Sequence, residues 1–409
     1  MKCRFCGNNL EHVFIDLVGS PPSNSFLRAE QLNEPEPYFP LKVFVCGECF
    51  LVQVDEHKKS SEIFSEDYVY FSSISTTWLD HSRRYVEMIT PRLKLDRPDA
   101  LVIEIASNDG YLLQYFKEKK IPCLGIEPTT STAAVARGKG IDVIEDFFGV
   151  RLAGELSQNG RTADLILGNN VLAHVPDIND FVEGLKIALK PSGTVTMEFP
   201  HLMRLVENNQ FDTIYHEHFS YLSFSTVRSI FSAHGLTLYD VEELPTHGGS
   251  IRIYARHKDN GALPESPAVR ALLAAEKKSG MGSMEYYLGF QKRALHAKMQ
   301  FLDFLLREKK AGKKIAAYGA AAKGNTLLNY CGIKNDLIDF VVDAAPSKQG
   351  KYLPGCHIPV VKEERIRQDR PDYVIILPWN IKKEVMDQIG YIREWGGKFV
   401  IAIPELEVI

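Results

Sequence analysis

The stretch Ala100–Phe116 constrains the fold of this chain more than any other. Its first part, Leu101–Ala106, is a short apolar run rich in β-branched residues, which predicts a buried strand. Residues 108–110 are typical of a turn, and the apolar residues of Tyr111–Tyr115 return at helical spacing. A strand, a tight loop and a helix leave unpaired backbone N–H groups at the start of the helix, where the edge of a polar or anionic ligand can bind.

A second strand is predicted over residues 121–126, and the carboxylate of Glu127 follows it directly. An acid at this place suits a ribose diol, because each carboxylate oxygen can accept one hydroxyl. Dinucleotides and S-adenosylmethionine are the two cofactor classes that use such an acid. A dinucleotide fingerprint requires G-x-G-x-x-G, whereas residues 106–110 contain one glycine, so the sequence favours S-adenosylmethionine.

The loop resembles the E-x-G-x-G-x-G motif of class I methyltransferases. Two of its three glycine positions are substituted, and any other doubly wound α/β domain is the alternative interpretation. Acidic, aromatic and amide residues follow the later predicted strands in the order that this fold uses for ribose, adenine and the methionyl end. The resemblance implies that the cofactor-binding residues are Glu104, Ala106, Asn108, Gly110, Glu127, Asp146, Phe147 and Asn169.

Length and composition limit the remaining possibilities. A chain of 409 residues is expected to hold two or three domains. Its net charge of −4 gives no indication of nucleic-acid binding. No apolar run approaches the roughly 18 residues of a membrane span, and the start of the chain lacks the apolar core of a signal peptide. We therefore expect a cytoplasmic protein without nucleic-acid or membrane partners.

Four of the seven cysteines form two C-x-x-C pairs, each with a glycine beside it. Two thiolates three residues apart on a turn can face one ion, and two such pairs complete a closed tetrahedral Zn²⁺ site. A redox function is the alternative, but it needs only one pair, and neither pair opens a helix after a strand. The spacing therefore predicts a structural zinc site made by Cys3, Cys6, Cys46 and Cys49.

Aromatic and hydroxyl residues alternate over residues 66–73, after the second cysteine pair. In an extended strand Tyr68 and Tyr70 would lie on one face. A half-buried strand face and a binding site are equally consistent with this pattern. A helix is predicted to follow over Thr76–Thr90.

The densest group of titratable side chains is Tyr215-His216-Glu217-His218, after the predicted fifth strand at 194–199 and the break at 190–193. Ligands of open α/β sheets bind beyond the carboxyl ends of the strands, so the position favours a site. Imidazole titrates near neutrality, and Tyr and Glu can orient it, which favours acid–base chemistry. A solvated loop is the alternative, and a metal site lacks an evident third ligand. In an extended segment His216 and His218 would share a face.

Two closing strands are predicted at Thr237–Val241 and Ser250–Ala255. The segment between them contains His247 and leads to Ser250; its glycines suit either a phosphate-binding backbone or a hairpin turn. A helical connector over 266–311 then leads to a second parallel α/β domain. Its first loop, near 319–325, also lacks the dinucleotide fingerprint, which disfavours a dehydrogenase. Candidates there for phosphate and base are Lys323, Lys348, Trp379 and Asn380; for each lysine a surface role is equally consistent with the sequence.

The cysteine pairs, the class I core, the Tyr-His-Glu-His cluster and the C-terminal domain together resemble the sugar C-methyltransferases that act on nucleotide-linked 4-ketosugars. The resemblance implies an α/β protein with a zinc-binding domain at 1–70, a class I Rossmann-like methyltransferase domain at 71–260, and a connector with a C-terminal Rossmann-like domain that binds the nucleotide sugar at 261–409. It further implies S-adenosylmethionine as cofactor and a dTDP-linked 4-ketosugar as the expected substrate.

In that family a base removes the hydrogen at C-3, next to the ketone, and the enolate takes the methyl group. By resemblance His218 is the base, Glu217 and Tyr215 support it, His174 lies near the methionyl end, and Tyr70, or less directly Tyr68, approaches the sugar. Two other classes stay open. A zinc-containing RNA or protein methyltransferase would share the core, but an RNA enzyme should carry a basic stripe. A non-catalytic nucleotide-sugar-binding protein would not need the histidine cluster.

Overall fold

The computed structural model describes residues 1–57 and 71–409, so the predictions for Tyr68 and Tyr70 lie outside the described residues. The described chain forms three sheets. Their strands are β1 His12–Ser20, β2 Phe39–Val45, β3 Val52–Val54, β4 Val102–Ile105, β5 Cys123–Ile126, β6 Asp142–Ile144, β7 Ala163–Asn169, β8 Leu189–Pro200, β9 Ser220–Tyr221, β10 Leu236–Leu244, β11 Ser250–His257, β12 Ile315–Tyr318, β13 Val341–Val342, β14 Val360–Val361, β15 Tyr373–Ile376, β16 Lys398–Ile401 and β17 Glu407–Val408.

Helices cover both parallel sheets and join them. The α-helices are α1 Thr76–Leu93, α2 Leu113–Glu118, α3 Thr130–Gly138, α4 Val150–Gln158, α5 Ile178–Ala188, α6 Leu202–Glu207, α7 Phe224–Ala233, α8 Pro267–Ser279, α9 Met284–Leu288, α10 Phe290–Lys310, α11 Ala322–Cys331, α12 Glu364–Asp369 and α13 Lys382–Gln388. Short 3-10 helices lie at Ala29–Asn33, Ser72–Ile74, Leu172–His174, Phe211–Thr213, Thr246–Gly248, Trp379–Ile381 and Gly390–Trp395. In the part of the chain that the structure describes, no helix is long and apolar enough to span a membrane.

The N-terminal sheet has the order β1-β2-β3-β9, and its neighbouring strands are antiparallel. Its fourth strand, β9, comes from residues that directly follow the histidine cluster, with Val52 opposite Tyr221 and Gln53 opposite Ser220. The sheet that carries the cysteines is therefore completed by a segment more than 150 positions later in the chain.

The central sheet has the order β10-β11-β8-β7-β4-β5-β6, in which β4 to β8 are parallel and β11 runs antiparallel to both of its neighbours, β8 and β10. All four residues of β4 are buried, as expected for a strand covered on both faces. The predicted break at 190–193 lies within β8, because Ala163 pairs with Leu189 and Leu165 with Thr194, so these four residues bulge out of the ladder. The predicted α/β class is confirmed.

The C-terminal sheet has the order β14-β13-β12-β15-β16-β17 and is parallel except for β17. One hydrophobic core joins it to the N-terminal sheet: Phe14 of β1 stacks on Phe290 of α10, with ring centroids 4.8 Å apart, and both belong to the core that includes Ile375 of β15. The connector helices thus pack the first and last regions of the chain against each other.

Candidate active site

A cavity of about 570 Å³ lies at the carboxyl edge of the central sheet. Its walls come from the loops after β4, β5, β6 and β7, from the histidine cluster, and from α11 of the C-terminal region. Asn24 of the N-terminal region also lines it. The volume lies within the range of small-molecule sites, and several titratable side chains converge on it.

The loop after β4 keeps the backbone of a glycine-rich loop although two glycines are replaced. Ala106, Asn108 and Gly110 have φ angles of 56°, 49° and 73°. Asn adopts this left-handed region readily, whereas Ala does so at a cost of about 1–2 kcal/mol. The three positions that the motif resemblance assigned to glycine are thus all left-handed. Ala106 and Asn108 line the cavity.

The two acids predicted to bind the cofactor differ in their surroundings. Glu127 lines the cavity; its carboxylate accepts hydrogen bonds from the backbone N–H groups of Asn108, at 2.9 Å, and Thr129, at 3.0 Å. Glu104 is fully buried beneath the loop, and burial raises the pKa of its carboxyl well above the ordinary value. Glu127 therefore holds the loop and can still accept ligand hydroxyls, whereas Glu104 is not among the cavity-lining residues.

The remaining predicted cofactor residues also line the cavity. Asp146 binds Arg151 through one oxygen, and its other oxygen accepts the backbone N–H of Phe147 at 2.8 Å. The Phe147 ring is 44% exposed and can cover a planar base. Asn169 ends β7 at the same edge. Together with Glu127, these side chains supply the carboxylate, aromatic and amide groups that fit an adenosyl ligand.

His218 lies at the centre of the histidine cluster. Its Nδ1 is 2.9 Å from the carbonyl oxygen of Thr213, so Nδ1 must carry the proton and Nε2 is the nitrogen that can accept one. The ring lies 4.7 Å from that of His174 and 4.0 Å from that of Tyr215, between centroids. Burial, with a further contribution from His174, lowers the pKa of His218 well below its ordinary value. The imidazole is therefore neutral at pH 7.

The prediction that His216 and His218 share a face is wrong. The backbone N–H of His218 donates to the carbonyl of Tyr215 at 3.0 Å, which closes a turn over residues 215–218. His216 points instead into the N-terminal region, where its Nε2 lies 3.2 Å from the carbonyl oxygen of Pro40 and its ring packs edge-on against Phe39. The turn separates the two imidazoles, and His216 does not line the cavity.

Tyr215, Glu217 and His174 line the cavity with His218. Glu217 is 6% exposed, and its Oε1 accepts a hydrogen bond of 2.7 Å from the side-chain amide of Asn24. Burial lowers the pKa of His174 to about 4, so this imidazole is also neutral at pH 7. Two neutral imidazoles and a phenol thus meet at one point, and Glu217 lines the same cavity.

The C-terminal region contributes two cations. The ammonium of Lys323 donates to the side-chain oxygen of Asn380 at 2.7 Å and lies 4.7 Å from the centre of the Trp379 ring. Lys348 donates to the carbonyl of Ala320 at 2.9 Å. Both lysines line the cavity, whereas Trp379 and Asn380 adjoin Lys323 from behind it. The Trp379 indole N–H donates to Asp212 at 2.7 Å.

The glycine segment between β10 and β11 is a hairpin turn, as one of the two interpretations expected. The hydroxyl of Ser250 donates to the carbonyl of Thr246 at 3.0 Å within this turn, and Ser250 is outside the cavity lining. His247 lines the cavity, and its Nε2 lies 3.0 Å from the side-chain nitrogen of Asn170. Burial lowers the pKa of His247 to about 4.

A buried ionic network beside the cavity was not predicted. Glu198 of β8 binds His81 of α1 at 2.9 Å and Arg252 of β11 at 2.7 Å. Burial alone would raise the pKa of Glu198, but His81 and Arg252 hold it at about 2. The His81 ring stacks on Trp78, which lines the cavity. The sequence does show an acid, Glu198, near the end of a central strand. It does not show the two partners of this acid, His81 and Arg252, because both are distant from it in the chain.

The four paired cysteines form one cluster at the end of the N-terminal sheet. Their sulfur atoms all lie within 4.8 Å of one another, with Cys3 and Cys49 at 3.5 Å and Cys6 and Cys46 at 3.5 Å. A tetrahedral zinc ion with Zn–S bonds of about 2.3 Å requires sulfurs about 3.8 Å apart. The donor set and its spacing therefore fit a closed structural zinc site.

Arg4, inside the first cysteine pair, links this site to the cavity wall. Its guanidinium donates to the carbonyls of Pro176, at 2.9 Å, and Val54, at 2.7 Å, and lies 4.9 Å from the ring centre of Phe219. Pro176 follows His174 by two positions, and Phe219 directly follows His218. The zinc site is thus connected to both segments that carry the cavity imidazoles.

Three family models match successive parts of the chain. They are described as "Putative zinc binding domain" over residues 3–64, "Methyltransferase domain" over 78–241 and "C-methyltransferase C-terminal domain" over 245–404. The curated C-methyltransferase NovU of Streptomyces niveus is 34% identical over 409 residues, which cover 100% of this chain and 96% of NovU.

Solved methyltransferases are also similar. An S-adenosylmethionine-dependent methyltransferase from Clostridium acetobutylicum gives a TM-score of 0.36 at 12% identity and covers 44% of this chain and 92% of its own. Magnesium protoporphyrin IX methyltransferase from Synechocystis gives 0.35 at 15% identity, with 48% and 90% covered. The assignment rests on the family models and the full-length relative: the chain belongs to the S-adenosylmethionine-dependent C-methyltransferases, with a class I methyltransferase domain between a four-cysteine zinc-binding domain and a C-terminal α/β domain.

Proposed function

We propose that this enzyme methylates a carbon, C-3, next to the ketone of a nucleotide-linked 4-keto-deoxysugar through a base-generated enolate. The observation that carries the proposal is the neutral His218 in the cavity, with Nδ1 held by the Thr213 carbonyl. Methylation of carbon requires a base that removes a C–H proton, and a ketone makes the neighbouring C–H acidic enough for an imidazole to act. Methylation of oxygen would not need the ketone.

In this mechanism Nε2 of His218 takes the proton, and the electron pair of the C–H bond moves into the enolate. Neutral imidazole accepts a proton without first losing one, which the lowered pKa of His218 ensures at pH 7. The rings of Tyr215 and His174 adjoin His218. These two residues are the proposed hydrogen-bond donors to the enolate oxygen and the sugar atoms around it. We also propose that Glu217 supports His218. Tyr70 stays a prediction, since it lies outside the described residues.

When bound, S-adenosylmethionine supplies an electrophilic methyl group to the enolate carbon. Glu127, Asp146, Phe147 and Asn169 line the cavity and are the proposed cofactor contacts, with Glu127 accepting ribose hydroxyls. Asn108 and Gly110 shape the loop backbone, and Ala106 leaves room because its side chain ends at Cβ. Glu104 lies beneath the loop and outside the cavity lining, so we propose that it supports the loop and does not contact the cofactor directly.

The charge of the cavity supports an anionic substrate opposite a cationic cofactor. Its central-domain side carries the carboxylates of Glu127, Asp146 and Asp180, whereas its C-terminal side carries Lys323 and Lys348. A sulfonium is favoured near carboxylates, and a diphosphate near ammonium groups. We therefore propose that the C-terminal domain binds the nucleotide, dTDP being the expected one, with Lys323 and Lys348 at the phosphates and Trp379, Asn380 and His247 beside them.

The test is incubation with labelled S-adenosylmethionine and a panel of 4-ketosugar nucleotides, followed by mass spectrometry of the sugar. We expect one added methyl on the carbon beside the ketone. In deuterated buffer without cofactor, the parent enzyme should also introduce deuterium at that carbon. Methylation of RNA or protein, or of a sugar oxygen, would contradict the proposal.

A further inference from the structure

The segment Pro21–Leu27 of the N-terminal region reaches the cavity, and its role is not explained by the zinc site. Asn24 lines the cavity, and its Nδ2 donates to Oε1 of Glu217 at 2.7 Å. The two residues are 193 positions apart. This hydrogen bond joins the N-terminal region directly to the proposed catalytic cluster.

The C-terminal region holds the same segment from the other side. The side-chain amide of Asn325, which is 1% exposed on α11, donates to the carbonyl of Ser23 at 3.1 Å. Leu27 exchanges backbone hydrogen bonds with Tyr352, at 3.0 and 2.8 Å. The contacts of its neighbours Ser23 and Leu27 therefore hold Asn24 on the side of the cavity that carries Lys323.

An amide N–H at 2.7 Å favours the ionised form of a carboxylate. Glu217 is 6% exposed, so a donor at this distance helps to fix the direction of its carboxyl group. We propose that Asn24 is a positioning residue that orients the carboxyl group of Glu217 in the cavity that His218 also lines, and that Asn325 sets Asn24 through Ser23. The catalytic cluster is thus assembled from all three regions of the chain. What Glu217 does in turnover rests on the proposed function; the contact that orients it does not.

The test compares Asn24→Asp and Asn24→Ala with the parent, each also in a Glu217→Gln background. Removing a hydrogen bond to a charged group is expected to lower turnover about tenfold to hundredfold. In Asn24→Asp, of nearly identical shape, two carboxyl groups at hydrogen-bond distance must share a proton. The acid limb of the pH profile should therefore move to higher pH. The other ionisable groups that line the cavity are unchanged in this variant; they are His174, His218, His247, Lys323, Lys348, Glu127, Asp146, Asp177, Asp180, Tyr111 and Tyr215.

The double variants separate this role from a structural one. If Asn24 acts through Glu217, Asn24→Ala should add little once Glu217 is Gln. Asn33→Asp is the matched control, because Asn33 is an exposed asparagine of the same region and away from the cavity. It should leave the pH profile unchanged.

A spectroscopic measurement makes the inference independent of the substrate. Infrared spectra of Asn24→Asp near neutral pH should contain a protonated carboxyl band in addition to any from Glu104, whose pKa is raised in the parent as well. This added band should be absent from the parent and from Asn24→Asp/Glu217→Gln. A parent without activity on any 4-ketosugar nucleotide would contradict the proposed function while leaving this arm intact. The positioning role is overturned if the band is absent, if Asn24→Asp keeps the parent pH profile, or if Asn24→Ala costs as much in the Glu217→Gln background as in the parent.

Discussion

The first loops of the two parallel sheets use the same backbone arrangement for opposite charges. In the cofactor loop, residues 106–110, the N–H of Ser107 donates to the last carbonyl of β5 at 3.2 Å and the N–H of Asn108 to Glu127 at 2.9 Å. In the lysine loop, residues 319–323, the N–H of Gly319 donates to the last carbonyl of β13 at 2.7 Å and the N–H of Ala320 to Asp343 at 2.8 Å.

The two acids, Glu127 and Asp343, differ in their position relative to the cavity. Glu127 lines the cavity, whereas Asp343 is outside the lining and lies 3.4 Å from the ammonium of Lys348, which lines it instead. The topology thus decides where a ligand edge can sit. Its charge depends on which side chains reach the cavity: Glu127 at the cofactor loop, but Lys323 and Lys348 at the lysine loop, where Lys348 pairs with the acid that follows the second strand. A fold comparison alone would assign both loops the same ligand.

The largest expected effect belongs to His218, which lines the same cavity as residues of both loops. Because a general base contributes about a hundredfold to ten-thousandfold, His218→Ala should lower turnover by that order without changing the affinity for cofactor or nucleotide. Its neutral form is required, so activity of the parent should fall as the pH drops through the lowered pKa, below the ordinary value of about 6.5. Stopped assays from pH 5 to 8 measure turnover and its pH dependence, and calorimetry measures the affinities for cofactor and nucleotide.

His216→Ala is the control for His218, since it faces Pro40 and Phe39 rather than the cavity. If His218→Ala methylates and exchanges deuterium like the parent while Tyr215→Phe loses both activities, another residue of the cluster, and not His218, is the base.

The next effect separates the two loops directly. Glu127→Ala should weaken S-adenosylhomocysteine binding and Lys323→Ala should weaken binding of a nucleoside diphosphate, each by about tenfold to hundredfold for a lost charge-assisted hydrogen bond. Each variant should leave the other ligand's affinity nearly unchanged. Calorimetry with the two ligands gives the four values, and equal losses of both ligands in either variant would contradict the division between the loops.

A smaller effect concerns the backbone of the lysine loop. Gly319 has a φ of 89°, and an added Cβ would lie 2.5 Å from Cδ of Pro378. Gly319→Ala should therefore lower the free energy of unfolding by about 1–3 kcal/mol. Thermal and urea unfolding measure this; a parent-like stability would show that the loop can change conformation at little cost.

The smallest effect is the converse change in the cofactor loop. Ala106 has a φ of 56°, so Ala106→Gly removes left-handed strain of about 1–2 kcal/mol but gives back about 0.4–1 kcal/mol through the freer unfolded chain. We expect the free energy of unfolding to rise by up to about 1.6 kcal/mol. The same unfolding measurements apply, and a loss of stability would mean that the methyl group of Ala106 packs favourably enough to offset its backbone.

The features predicted from the sequence are those that short segments encode. The apolar run of β4, the acid of Glu127 and the cysteine spacing each depend on neighbours within a few residues, and the zinc-binding and methyltransferase domains are confirmed. The orientation of His216 was missed because a single turn bond reverses it. The bonds from Asn24 to Glu217 and from Arg252 to Glu198 join residues 193 and 54 positions apart, and no local pattern marks such partners.

The late arrival of β9 has a consequence for biosynthesis. Until residues 220 and 221 leave the ribosome, the edge of β3, with Val52 and Val54 fully buried in the finished protein, has no partner strand. More than half of the chain must be translated before the N-terminal sheet can close, and such non-local pairing is slow. An uncovered edge strand is a template for pairing with other chains. Nascent and truncated chains that stop before β9 should therefore depend on chaperones, and early stalling should favour aggregation rather than an independently folded zinc module.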